Sequence, residues 1–319
     1  MLNRKLGYVL AISVLAASCN QQKLRRIAVI PKGTAAIFWQ TVHAGAIAAG
    51  EENKVEIIWD GPPAETEYAR QLAIFDSMLN RHVDGIVVAP TEKKVLNATF
   101  DRAVREKIPV VLFDSGADTD AYVSFVATDN YEAGKTGGRT LAKLLNGKGE
   151  VGLIGNVPGS ASTVERERGF TDVIAAEFPG IKIVATQFGM SDRAKSLAAT
   201  ENILTAHPAL SGLFASCEPS SLGAAQALKS HSLAGKLKFV AFDASDPIVE
   251  AMKEGTIDAL VAQDPFRMGH DAVQVLVDSL NGKTPPKKTD LPATVITKAD
   301  LDKPEVKQLL NPDLKKYLK

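Results

Sequence analysis

The sequence has little cysteine. Only Cys19 and Cys217 occur in 319 residues, so no disulfide framework can organise the fold, and burial must hold it together. Charge of one sign is missing as well: Lys plus Arg and Asp plus Glu both number 37, for a formal net charge of zero. Without a basic field, nucleic acid and anionic membrane surfaces drop out as partners. There is no H-E-x-x-H metal pair, no G-x-S-x-G elbow and no Walker A run. "GLIGNVPG" does not fit G-x-G-x-x-G, and His43, His82, His207, His231 and His270 lack ligand spacing. No metal, cofactor or catalytic centre is therefore expected.

The chain opens with the pattern of an export signal: Arg4 and Lys5 precede the apolar "LGYVLAISVLAAS". That run is too short for a spanning helix, which needs about 20 apolar residues. "LAASC" resembles a bacterial lipobox, with Ala16 where Leu is commonest, which makes Cys19 the expected lipid-bearing residue and membrane anchor. An ordinary signal peptide with an incidental cysteine is the alternative. Residues 1–19 are thus read as a leader, followed by a short polar tether.

Beyond the tether, short β-branched runs alternate with amphipathic segments. "IAVIPK", "VEIIWD", "GIVVAP" and "PVVLFD" are separated by helical patterns, and "EVGLIG", "IKIVATQ", "LSGLFAS", "LKFVAFD" and "DALVAQD" repeat the arrangement. Such alternation predicts βαβ units and parallel sheets covered on both faces. No Pro/Ser-rich linker divides the two sets, so the crossings between them must be short and structured. Ligands of open parallel sheets bind beyond the carboxyl ends of the strands. The residues placed there are Pro31-Lys32, Asp60, Ala89-Pro90, Asp114-Ser115, Ser216-Cys217-Glu218, Asp243 and Gln263-Asp264.

In "GIVVAP", "IPVVLFDSGA", "VATDNYEAGKTGG", "ERERGF", "AFDASD" and "LVAQDPFRMG", the chain from Ile27 to about Lys298 resembles the periplasmic sugar-binding proteins of ABC transporters. The resemblance is to the ribose-binding branch, which shares its fold with LacI-type ligand domains. It implies two similar Rossmann-like α/β lobes joined by three hinge crossovers, closing on a ligand in the cleft. The lobes would comprise residues 24–128 plus 264–292 and 129–263 plus 293–300, with crossings near Thr128-Asp129, Gln263-Asp264 and Pro292. Residues 301–319 form a tail, expected to carry a short helix after Pro304 and a solvated basic end.

The same resemblance implies a site. Phe38 and Trp39 match aromatics that stack on the apolar face of a sugar; the alternative is that both are core residues. Asp114 and Asp243 match carboxylates that accept from vicinal hydroxyls, against the plainer reading of strand-end Asp residues capping helices. Gln263 would offer its amide to the ligand, and Asp264 would cap the helix that Pro265 starts. The chain departs from the pattern at Ser115, where an arginine is usual, at Val164, and at Cys217-Glu218, where "ND" is usual. Arg166 aligns with the more structural arginine. Lys32, at a usually small polar position, would donate to the ligand or neutralise Asp114 across the cleft. With two aspartates against one or two cations, the expected ligand is a neutral monosaccharide or polyol.

The expected activity is that of a monomeric, exported binding component delivering sugar to an ABC permease in the inner membrane. Three alternatives stand beside it. A glycosidase would need working carboxylates such as Asp114 and Asp243. A LacI-type regulator would need a helix-turn-helix where this chain has a leader. A sugar sensor for a membrane receptor kinase would share the whole sequence pattern.

Overall fold

The computed structural model describes residues 24–318; the leader and Cys19 lie outside the described residues. The first lobe is built from β1 (Arg26–Ile30), α1 (Ile37–Asn53), β2 (Glu56–Trp59), α2 (Tyr68–Asn80), β3 (Gly85–Val88), α3 (Asn97–Arg105), β4 (Val110–Phe113) and β5 (Ser124–Thr128). The second follows with α4 (Asn130–Leu144), β6 (Gly149–Gly155), α5 (Ala161–Glu177), β7 (Ile181–Phe188), α6 (Arg193–Ala206), β8 (Leu210–Ala215), α7 (Glu218–Ser230), β9 (Lys238–Phe242), α8 (Asp246–Lys253) and β10 (Ala259–Ala262). The chain then returns to the first lobe through α9 (Pro265–Leu280) and β11 (Lys288–Leu291), and to the second through β12 (Thr294–Thr297) and α10 (Pro304–Leu310).

The sheets run β11-β5-β4-β3-β1-β2 and β12-β10-β9-β8-β6-β7. Set side by side, the orders are the same, except that β11 lies parallel to β5 whereas β12 lies antiparallel to β10. Each order reverses beside the first strand of its lobe, the switch point where such sheets open a crevice.

The apolar runs are continuous because both sheet faces are covered, and alternate residues feed opposite faces. In the first lobe, Ile27, Val29, Val111 and Phe113 pack on α1 and α9, while Ala28, Ile30, Val110 and Leu112 pack on α2 and α3. In the second, Phe214 and Val240 face one core, and Leu213 and Phe239 the other.

The closest helix crossing in the second lobe joins α4 to α5 and requires glycine. A Cβ on Gly134 would sit 1.9 Å from the Arg166 carbonyl oxygen, and one on Gly169 would sit 2.1 Å from that of Tyr131. This crossing sets α5, and with it Ser162 and Arg166, at its height over the sheet.

Two of the passages between sheets end in an Asp that caps the next helix. Asp129 Oδ1 accepts from Glu132 N at 3.1 Å and Asp264 Oδ1 from Arg267 N at 3.0 Å, each satisfying an amide that the helix itself cannot. The tail is more than a solvated end. Val306 and Leu310 are buried in the second-lobe core, while Tyr317 packs on Phe266 of the first lobe with ring centroids 5.5 Å apart. Lys315 and Lys316 are exposed.

Candidate ligand-binding site

The strand ends of the two sheets face one another across a narrow cavity of about 30 Å3. That is room for about one water molecule, well below the size of a typical ligand site, so the lobes stand closer together here than a bound sugar requires. A wider recess of about 280 Å3 adjoins it and shares Asp114 and Ser162, but the buried charged groups converge on the smaller space.

Asp114 follows β4 and Asp243 follows β9, each directly after a Phe. Both adopt left-handed backbone, with φ of 54° and 64°, and each donates its N–H to the neighbouring strand, to Val126 O at 3.0 Å and to Val261 O at 3.1 Å. That conformation costs an L-residue about 1–2 kcal/mol, though Asp tolerates it better than most. The two lobes thus present their carboxylates by the same local turn. Neither Asp caps the helix that follows it.

Lys32, beyond β1, pairs with Asp114 Oδ2 at 2.8 Å and donates to Ser160 Oγ at 3.2 Å and Ser162 Oγ at 2.9 Å. Those three contacts use all three ammonium protons. Burial lowers its pKa, but the carboxylates of Asp114 and Glu65 outweigh burial and hold it above the ordinary value. The expectation that Lys32 neutralises Asp114 across the cleft needs correcting. Lys32 and Asp114 belong to one sheet, where β3 separates their strands; the bonds that cross the cleft are those to the serines of the second lobe.

Ser115 also departs from expectation. It is fully buried off the cavity wall, and its Oγ accepts from Ser162 N at 3.2 Å. It ties the lobes together instead of facing the ligand space. Gln263 reaches the wall, but its amide is engaged by protein: Nε2 donates to Asp243 Oδ1 at 2.7 Å and Oε1 accepts from Thr128 Oγ1 at 2.6 Å. Because Thr128 and Gln263 lie at two different crossings, their bond fastens one to the other.

Arg166 lines the cavity with its guanidinium 3.6 Å from the Phe242 ring centroid and 4.0 Å from Asp243 Oδ2. It donates to Asn130 Oδ1 and to the Ser216 carbonyl. Burial raises the Asp243 pKa, an effect that Arg166 and the Gln263 amide oppose without cancelling. Phe38 and Trp39 sit on the first turn of α1, both on the cavity wall and in the first-lobe core. The two readings of these rings are therefore compatible. Cys217 is buried on the wall, its pKa pushed up to about 12 by burial and by the fields of Asp243 and Glu65.

Five polar wall residues escaped the sequence reading: Glu65, Asn156, Ser162, Thr163 and, as a site residue, Glu218. Asn156 follows β6 directly, so the strand-end rule that selected Asp114 would have selected it. Glu65 stands well past β2 in "GPPAETE", where no periodicity marks it; its Oε1 accepts from Trp39 Nε1 at 3.0 Å and its Oε2 from Asn156 Nδ2 at 3.1 Å. Glu218 opens α7, its N–H donates to Asp243 Oδ2 at 3.0 Å, and its own Oε2 accepts from Phe38 N at 3.2 Å. Burial raises its pKa to about 7. No group of His, Cys, Asp and Glu suited to a metal ion occurs among the described residues.

Comparison with known proteins agrees with this architecture. Residues 27–284 match the family described as periplasmic binding protein domain. The chain is 31% identical over 273 residues to the D-ribose/D-allose-binding protein of Pseudomonas aeruginosa, covering 83% of this chain and 85% of that one. Among solved structures, a carbohydrate transporter solute-binding protein of Agrobacterium radiobacter in complex with D-arabinose superposes with a TM-score of 0.88 at 33% identity, covering 91% of this chain and all of that one. An ABC transporter solute-binding protein of Agrobacterium vitis with bound D-fucose gives 0.87 at 35% identity, over 90% and all of the respective chains. These relatives are solute-binding proteins and not enzymes. The chain belongs to the periplasmic binding protein family, in the branch of the ABC-transporter sugar-binding proteins.

Proposed function

We propose that this protein is the exported component that captures a monosaccharide or polyol by closing two lobes over it and presents the closed form to a membrane permease. The observation that supports this reading best is the meeting of Asp114 and Asp243, one from each lobe and in the same backbone conformation, at a buried cavity walled by Phe38 and Trp39. Carboxylates suit adjacent hydroxyls, and ring faces suit the C–H face of a sugar. Lys32, Arg166 and Gln263 hold those carboxylates in place.

Closure follows from ligand contacts that exist only when both walls are near. Such contacts favour the closed state and shift the population towards it. Bonds between the lobes, such as Lys32 to Ser162 and Ser162 to Ser115, complete the closed form. A dissociation constant of ~1 μM corresponds to roughly −8 kcal/mol, which several charge-assisted bonds and one stacked ring can supply. A lipid on Cys19, outside the described residues, would keep the protein beside its permease.

The test is a thermal-shift screen of ligand-stripped protein against pentoses, hexoses, deoxysugars, polyols and inositols. A true ligand at about 100 times its dissociation constant stabilises by roughly 2.7 kcal/mol, a rise of a few degrees. Asp114→Asn and Asp243→Asn should each abolish the shift. A shift that survives both substitutions would place the ligand elsewhere.

A further inference from the structure

Many donors on the cavity wall are engaged by protein, although Arg166 keeps two N–H protons and Asn156 Nδ2 and Gln263 Nε2 one each. Lys32 has its three protons on Asp114, Ser160 and Ser162; Trp39 Nε1 and Asn156 Nδ2 donate to Glu65; Gln263 Nε2 donates to Asp243; and Arg166 donates to Asn130 and Ser216. Acceptors, by contrast, are in excess. Four carboxylates line the space against two cations. Lys32 lies on Asp114 and Arg166 beside Asp243, whereas Glu65 and Glu218 have no cation within 4.0 Å among the described residues.

A second observation falls at the same end of the cavity. Asn156 is 2% exposed, and its Oδ1 has no hydrogen-bond partner in the protein. The orientation of that amide is fixed, because an ionised Glu65 can only accept and so must face Nδ2. What remains is a buried carbonyl-type acceptor on a wall shared with two carboxyl groups that no cation among the described residues touches, one of which, Glu218, burial keeps partly protonated near pH 7. Burying such groups without a donor or counter-charge is unfavourable.

We infer that the ligand carries a primary amine, an amino sugar or amino polyol whose ammonium sits among Glu65, Glu218 and the Asn156 carbonyl while its hydroxyls meet Asp114 and Asp243. This deepens the sugar-binding reading and rests on it. An ammonium offers a donor to the Asn156 carbonyl and a positive charge to Glu65 and Glu218, which no cation among the described residues touches. It replaces the expectation of a neutral ligand, which counted only the two aspartates.

The test compares matched pairs on the full-length, ligand-stripped protein by calorimetric titration: D-glucosamine with D-glucose, D-galactosamine with D-galactose, and the N-acetyl forms, which keep the shape and lose the charge. At least one amino sugar should bind 10-fold or more tightly than its parent, with the N-acetyl form weaker than both. Glu218→Gln and Glu65→Gln should each shrink the preference to about 2-fold, read as the ratio of amine to parent-sugar affinity within one variant, with a cooperative melting curve showing that each variant is folded; an unchanged ratio in both would overturn the placement of the ammonium. Parent sugars binding as tightly as their amines would overturn the amine inference and leave the sugar-binding function standing. Absence of binding by every member of the pairs, in a protein that also gives no shift in the broader screen, would overturn both.

Discussion

Glu218 Oε2 lies 3.2 Å from the backbone nitrogen of Phe38, so a residue of the second lobe caps a helix of the first. The N-cap residue of α1, Ala36, has no side chain that could do so. A missing cap costs a helix about 1 kcal/mol, and here the cap arrives only when the cleft is shut. Closure and helix satisfaction are one event at this position.

Stability in the absence of ligand should follow the Glu218 proton. Its pKa in the folded protein, raised by burial to about 7, exceeds that of an unfolded carboxyl, so the folded form holds the proton more tightly. The resulting stabilisation is complete below about pH 4.5 and is lost as pH rises through about 7, with at most about 3 kcal/mol at stake. Asp243 and Glu167, also raised by burial, act in the same direction. Melting curves from pH 5 to 8 should show a decline that Glu218→Gln flattens in part; an unchanged slope would remove Glu218 as its source.

The Lys32–Asp114 pair should behave as a buried unit. Lys32→Met leaves Asp114 charged without its partner, and Asp114→Asn does the converse; each should destabilise by about 3–5 kcal/mol. The double variant should recover most of that loss in urea unfolding while ligand binding stays abolished. Additive losses would show that the two residues are not coupled.

Gly134→Ala should weaken the site from a distance. The new methyl would meet the Arg166 carbonyl at 1.9 Å, so α4 and α5 must separate. Overpacking of this kind costs about 1–3 kcal/mol, and because α5 carries Ser162 and Arg166, ligand affinity should fall with it. Titration calorimetry on the folded variant would detect a drop of 10-fold or more; intact affinity would show that α5 moves independently of the crossing.

Cys217 should report closure. Its raised pKa keeps it a thiol, and it is 5% exposed in the closed form, so alkylation by iodoacetamide at pH 8 should proceed only through open molecules. Saturating ligand should slow the reaction at least 10-fold, followed by mass spectrometry. Equal rates with and without ligand would mean that the thiol stays accessible on closure.

Much of this was legible in the sequence, for reasons that differ by residue. Strand runs such as "GIVVAP" announce themselves because both faces of a parallel sheet are buried, and Asp114 and Asp243 stand out by ending such runs. Asp264 and Pro265 mark a helix start by their chemistry alone. What one residue's position cannot reveal is its partner. Ser115 looked like a wall residue because its neighbour is one, yet its side chain turns to Ser162 on another lobe. Lys32 looked free to donate, yet two of its three acceptors, Ser160 and Ser162, lie 128 and 130 residues away in the chain. Glu65 lies in an irregular loop with no period to read, and only the folded cleft brings it to Trp39 and Asn156.

The return of the chain through α9 and β11 has a consequence for biogenesis. Met268, Ala272, Val273 and Leu276 on α9 supply a large part of the first lobe's core, yet they are synthesised after the whole of β6 to β10. The second lobe can gather its main strands as soon as Ala262 has emerged, lacking only β12 at one edge. The first lobe, begun earlier, must wait with Ile27, Val29 and Val111 covered on that face by α1 alone. The later-made lobe is therefore the one positioned to fold first, and the earlier-made one is the region most in need of protection from aggregation during export.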